Sequence, residues 1–156
     1  MNDTTIRKSL SELLSGRNAH LDLKDAVKGL KPELRNIKPA EDIHSVWELV
    51  EHIRIGQNDI VEYIFNPEWK SPKWPEEYWP GTKGMISDND WKESLKKIDD
   101  DTVALSALIN DEKIDLTAVI PHTDSHTYLR EILLTADHNS YHTAQIVLVR
   151  KLLNNW

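Results

Sequence analysis

Apolar residues recur every three or four positions along several stretches of the chain, the spacing of helices with one buried face. The first stretch covers residues 6–15, with Ile6, Leu10, Leu13 and Leu14 on one side and Gly16 as its stop. After the connector Asn18-Ala19-His20-Leu21, a short helix over residues 22–27 is capped by Asp22 and closed at Gly29. Pro32 and Pro39 then mark an irregular passage. Ser45-Val46-Trp47-Glu48 has the spacing of a capping box, in which the serine side chain and the glutamate three residues on close the first turn reciprocally. From there the pattern predicts a helix to about Phe65, with Val46, Leu49, Val50, Ile53, Ile60, Val61 and Ile64 in the core.

Residues 66–87 break the pattern. Pro67, Pro72, Pro75 and Pro80 alternate with Trp69, Trp74 and Trp79, and proline removes backbone donors while fixing φ. So long a non-helical stretch in a small domain reads as a crossover or a functional loop. A third long helix is predicted from about Asp88 to about Asn110, with Ser87 and Asp90 at capping-box spacing. Trp91, Leu95, Ile98, Val103, Leu105 and Leu108 form its apolar side, and Asp99-Asp100-Asp101 its solvated face. Residues 114–120 read as a short extended piece. The last helical stretch, residues 127–156, holds neither glycine nor proline. Four long helices, one long middle connection and no strand alternation predict an all-α four-helix bundle with a crossover between helices 2 and 3. At 156 residues the chain reads as one domain, residues 1–156.

The candidate chemistry lies in that last helix. His138 and His142 are four apart and project from one face, with Cβ atoms about 6 Å apart. Leu134, Tyr141, Gln145, Leu148 and Leu152 fall on or near the same stripe, so both imidazoles are expected to point inward. His52 lies on the inward stripe of the second long helix. Three inward imidazoles are costly to desolvate unless something binds their ring nitrogens, and a divalent ion held by His52, His138 and His142 answers that. Imidazole suits zinc, nickel, copper and iron, so the ligand set names no metal. The plainer alternative is a set of histidines hydrogen-bonded within the core.

His122 and His126 share the four-residue spacing, but in a polar loop where it does not align side chains; His126 is also about 18 Å along the axis from His138. They read as a helix lead-in, and His44 as a staple or surface residue. His20 follows the first helix in a loop that can reach a cavity mouth. Glu48, one turn before His52, is either a further ligand or general base, or simply the capping-box partner. Tyr141 and Gln145 flank the histidine pair and can bond a bound water. The three loop tryptophans line a pocket or staple a bundle end.

Composition narrows the classes. There is no cysteine, which excludes disulfides, thiolate ligands and a cysteine nucleophile. A net charge of −7 and no basic stripe argue against nucleic acid as partner. No apolar run is long enough to span a bilayer and no leader pattern appears at Met1-Asn2-Asp3-Thr4-Thr5, so a cytoplasmic protein without membrane partners is expected.

Ser45-Val46-Trp47-Glu48-Leu49-Val50-Glu51-His52-Ile53, Thr127-Tyr128-Leu129-Arg130-Glu131 and Ala136-Asp137-His138-Asn139-Ser140-Tyr141-His142, together with Asn18-Ala19-His20 and residues 145–153, resemble the DinB-like (YfiT-related) metal-binding four-helix bundles. The resemblance implies an up-down-down-up bundle, often a homodimer, with one divalent ion, zinc or nickel, on His52, His138 and His142. It further implies a small-molecule substrate and metal-dependent transfer of a low-molecular-weight thiol, or else a metal-dependent hydrolase. A non-catalytic stress-response module whose ion only stabilises the bundle is the rival from another class.

Overall fold

The computed structural model describes residues 3–16, 19–81 and 84–156; Asn18 of the Asn18-Ala19-His20 element and the leading Met1-Asn2 lie outside the described residues. Among the described residues five α-helices follow in order: α1 (Asp3–Ser15), α2 (Leu23–Val27), α3 (Val46–Phe65), α4 (Asp88–Asn110) and α5 (Tyr128–Leu152). Two 3₁₀ turns, Pro32–Leu34 and Glu76–Tyr78, complete the regular structure, and no strand occurs among the described residues. The protein is all-α.

The helix boundaries follow from local chemistry. The Glu48 amide donates to Ser45 Oγ at 3.1 Å and the Ser45 amide to Glu48 Oε2 at 2.8 Å, so the predicted capping box forms. Ser87 caps α4 by accepting from the Asp90 amide, and Thr127 caps α5 by accepting from that of Arg130. Gly16 and Gly29 adopt φ of +70° and +75°, the left-handed conformation that stops α1 and α2.

Packing divides the apolar interior into two clusters. One joins Trp47, Val50 and Ile53 of α3 to Trp91 and Ile98 of α4 and to Ile146 and Val149 of α5. The other joins Leu10 of α1 to Ile60 and Ile64 of α3, Leu105 and Ile109 of α4, and Ile132 of α5. The early turns of α3 thus meet the late turns of α5, and its late turns the early ones. Polar side chains occupy the level between the clusters. Gln57, fully buried, donates from Nε2 to the Ile98 carbonyl at 2.7 Å and to Thr102 at 3.0 Å, and accepts from Asn139 Nδ2 at 2.6 Å. One satisfied amide therefore ties α3, α4 and α5 together beside His138. Two buried arginines fasten element ends: Arg7 donates to the carbonyls of Ile109, Asp111 and Ile114, and Arg150 to those of Ala26, Lys28 and Asn155.

Several details depart from the periodicity reading. Val103 is 68% exposed, because the buried stripe of α4 runs through Trp91, Ser94, Ile98, Leu105 and Leu108 and a residue two positions from Leu105 points away from it. On α5, Leu134, Tyr141, Leu148 and Leu152 face outward, whereas Ile132, Thr135, Ala136, Thr143, Ile146, Val149 and Arg150 are buried. The helix carries apolar groups around most of its circumference, so spacing alone does not choose its face; small and polar residues sit where neighbouring helices come closest. Residues 114–120 form turns around buried Leu116 and Ile120, with a single bridge from Val119 to Thr127, instead of an extended piece. Within the acidic run, Asp99 pairs with Lys24 and Asp100 with Lys96, but Asp101 turns inward to Asn58 and burial raises its carboxyl. Among the described residues no helix is long and apolar enough to cross a membrane.

Candidate metal centre

His52 of α3 meets His138 and His142, which stand one turn apart on α5. His52 and His142 are only 2% and 7% exposed, and His138 is half-buried. The three rings offer one ligand atom each within 4.8 Å of one another. His52 Nε2 and His138 Nε2 stand 3.2 Å apart. A tetrahedral zinc bound at 2.0–2.1 Å separates its nitrogen ligands by about 3.3 Å, so this spacing suits an ion between them.

The opposite edges of two rings set the tautomers. His52 Nδ1 donates to the Tyr78 carbonyl at 2.8 Å; a carbonyl only accepts, so Nε2 keeps its lone pair for the shared space. His142 Nδ1 donates to Gln145 Oε1 at 2.7 Å with the same consequence. Outer hydrogen bonds of this kind orient metal-binding histidines. Protonation is opposed as well. Burial lowers all three pKa values, and His138, which also feels His142 and His52, is brought down to about 4. At neutral pH the rings are therefore in the ligand form without an ion to force it.

A pH effect on stability follows. An unfolded histidine ionises near 6.5, whereas folded His138 does so only near 4, so below 6.5 the unfolded chain binds the extra proton. The ion-free fold should lose roughly 3 kcal/mol through His138 as pH falls from 6.5 to 4, with none of this loss above 6.5. Urea unfolding of ion-free protein across that range should show the decline, and His138→Gln should make it shallower, leaving the part due to His52 and His142.

The loop after α3 builds the rest of the site. Asp59 accepts from Trp69 Nε1 at 2.7 Å and from the Tyr78 hydroxyl at 2.6 Å, fixing both ends of the loop to α3. Burial and Asp59 together push the Tyr78 phenol well above its ordinary value. Trp79 then lies flat on His52, with ring centroids 3.9 Å apart and planes within 3°, and its other face stacks on His44 at 3.8 Å. Trp69 thus fastens the loop, while Trp74 and Trp79 line a cavity of about 570 Å³ that opens onto the three histidines.

The remaining expected residues divide between this site and elsewhere. Tyr141, 62% exposed, sets its ring edge-on to His142 at 4.9 Å and lines the cavity. Gln145 is the hydrogen-bond partner of His142. Glu48 stays outside the cluster. Its carboxylate serves the Ser45 amide, Lys38 at 2.8 Å and His44 at 3.4 Å; burial pushes its pKa up, but the bonds from Lys38 and Ser45 bring it below the ordinary value. His20 lies on a separate cavity bounded by α1, α2, α4 and α5, with Nδ1 2.9 Å from the Leu21 carbonyl. His122 contacts the Tyr63 carbonyl at 2.7 Å, and His126 lies 3.2 Å from Glu131.

Gly56, on the same stripe of α3 as His52, makes room for His138. A Cβ there would stand 3.1 Å from His138 Cε1, so its absence admits the ring. The available signal is a glycine inside a well-capped helix, one turn after His52. No sequence signal announces the Tyr78 carbonyl, because every residue has one.

The sequence pattern that defines the DinB superfamily matches residues 18–146, which include all three histidines. The chain belongs to the DinB superfamily. No curated protein and no solved structure matches it. The all-helical fold is consistent with that membership, and in this DinB chain α3 and α5 form a three-histidine cluster compatible with metal binding.

Proposed function

We infer that the protein is a single-domain, up-down-down-up four-helix bundle, residues 1–156, which holds one divalent ion, zinc or nickel, on His52, His138 and His142 and uses it catalytically. The observation that carries this reading is the union of two features: three imidazoles poised as neutral ligands, and a cavity of about 570 Å³ opening directly onto them. Catalytic ions keep a position open to solvent or substrate, whereas structural ions are closed off by protein ligands. When bound, the ion supplies Lewis acidity and lowers the pKa of a coordinated water or thiol.

The chain's own residues do the positioning. Tyr78 and Gln145 hold the His52 and His142 tautomers, Trp79 fixes the His52 ring plane, and the aromatic loop forms one wall of the cavity. Transfer of a low-molecular-weight thiol to an electrophile is the leading activity, with metal-dependent hydrolysis second. The chain has no cysteine, so the thiol comes from a cosubstrate. A cytoplasmic homodimer completes the reading, and the outward Leu148 and Leu152 of α5 supply apolar groups for pairing.

Chelation tests catalysis against a stapling role. The expected result is loss of thiol-transfer or hydrolytic turnover, restored by zinc or nickel, while helicity at 25 °C is kept. Unfolding on chelation, with no turnover under any ion, would instead assign the ion to structure.

A further inference from the structure

We propose that the molecule brought to the three-histidine cavity is an organic cation, with an ammonium group on an apolar body. This rests on the cavity being the working site and concerns what its walls select. The walls contain two carboxylates, Asp59 and Asp137, and none of the described lining residues is a lysine or arginine. This is selective placement, because the chain has 19 such residues. Arg54 pairs with Glu51 and Lys38 with Glu48.

Among the described residues neither carboxylate has a lysine or arginine as ion-pair partner. Asp59 accepts its two hydrogen bonds from uncharged donors, Trp69 and Tyr78, and has lone pairs to spare. Asp137 lies exposed one turn from Tyr141 and next to His138. Between these charges stand aromatic rings. Trp74 and Tyr78 meet at 64° with centroids 5.3 Å apart, and Tyr141 of α5 lines the same cavity. Trp79 contributes only an edge, since His44 and His52 cover both its faces. Trp74 is 69% exposed, a large apolar surface left for something to cover. Aromatic rings beside uncompensated carboxylates attract ammonium groups through the ring quadrupole and by direct charge. The histidine nitrogens form the floor, so the molecule presents a donor group to the floor and its cationic end to the rim. An acidic cosubstrate finds no counter-charge among the described walls.

Choline and 3,3-dimethylbutan-1-ol, which differ by a charged nitrogen in place of a carbon, are suitable probes, with 3,3-dimethylbutanoate as the anion. Binding to ion-free and zinc-loaded protein is followed by tryptophan fluorescence and calorimetry. Choline should bind at least tenfold more tightly than the alcohol in both forms, more weakly as salt rises, and the anion should not bind to the ion-free form. Asp137→Asn and Trp74→Leu, both at exposed positions, should each reduce the ratio severalfold. Equal binding of choline and the alcohol, or a ratio unmoved by both variants, would overturn the proposal. The outcomes separate from those of the metal reading. Cation preference without ion uptake upholds the cavity and removes the centre; ion-dependent turnover without cation preference does the reverse.

Discussion

Protein purified without a metal column should carry about one divalent ion per chain, and His138→Ala and His142→Ala should carry none. Elemental analysis of the three preparations measures this directly. The size of the effect follows from the ligand count. Loss of an outer hydrogen-bond partner of a metal-binding histidine costs about 10–100-fold in affinity, and removing one of only three nitrogen ligands should cost more. Both variants should remain folded, since His138 is half-buried beside an existing cavity and His142 borders the same space. Turnover should disappear together with the ion. An ion retained at full stoichiometry in either variant would remove that histidine from the ligand set.

Gly56→Ala and Gly56→Val should separate ion binding from folding. Glycine inside a helix costs roughly 1 kcal/mol relative to alanine, so the alanine change favours α3 by that amount. The new Cβ, however, would stand 3.1 Å from His138 Cε1, and the ring must move by a few tenths of an ångström. A ligand set tolerates displacements of only about 0.5 Å. The alanine variant should therefore bind zinc about tenfold more weakly, with ion-free melting unchanged or slightly raised. Valine adds two methyl groups against the same ring and should weaken binding by more than 100-fold, a change of about 2.7 kcal/mol. Competition with a coloured chelator reports the affinity, and calorimetry the melting. Unaltered affinity in both variants would mean that His138 adjusts freely and that the glycine serves only helix packing.

Much of the architecture is written in short-range signals. Ser45 and Glu48, Ser87 and Asp90, Gly16 and Gly29 act on backbone groups within four residues of themselves, so the starts of α3 and α4 and the stops of α1 and α2 are readable without a fold. The same holds for His138 and His142, whose common face is a property of helical pitch alone. Val103 and the outward leucines of α5 show where this ends. Which side of a helix is buried depends on where its neighbours lie, and a helix apolar on several sides does not reveal that.

The amino-acid sequence by itself therefore determined the helical elements, the lack of any cysteine thiol in the chain and the identity of three histidines on helices able to face one another. Only the tertiary structure brought their ring nitrogens within 4.8 Å. It also set the Tyr78 carbonyl behind His52, slid Trp79 between His44 and His52, and closed α5 onto Gly56. It left Asp59 and Asp137 uncompensated among aromatic rings at the rim. The physical reason is range. Caps and pitch are set by covalent neighbours, whereas a ligand set, its tautomers and the charge of its cavity arise from groups far apart in the chain, whose meeting is decided by how the helices pack.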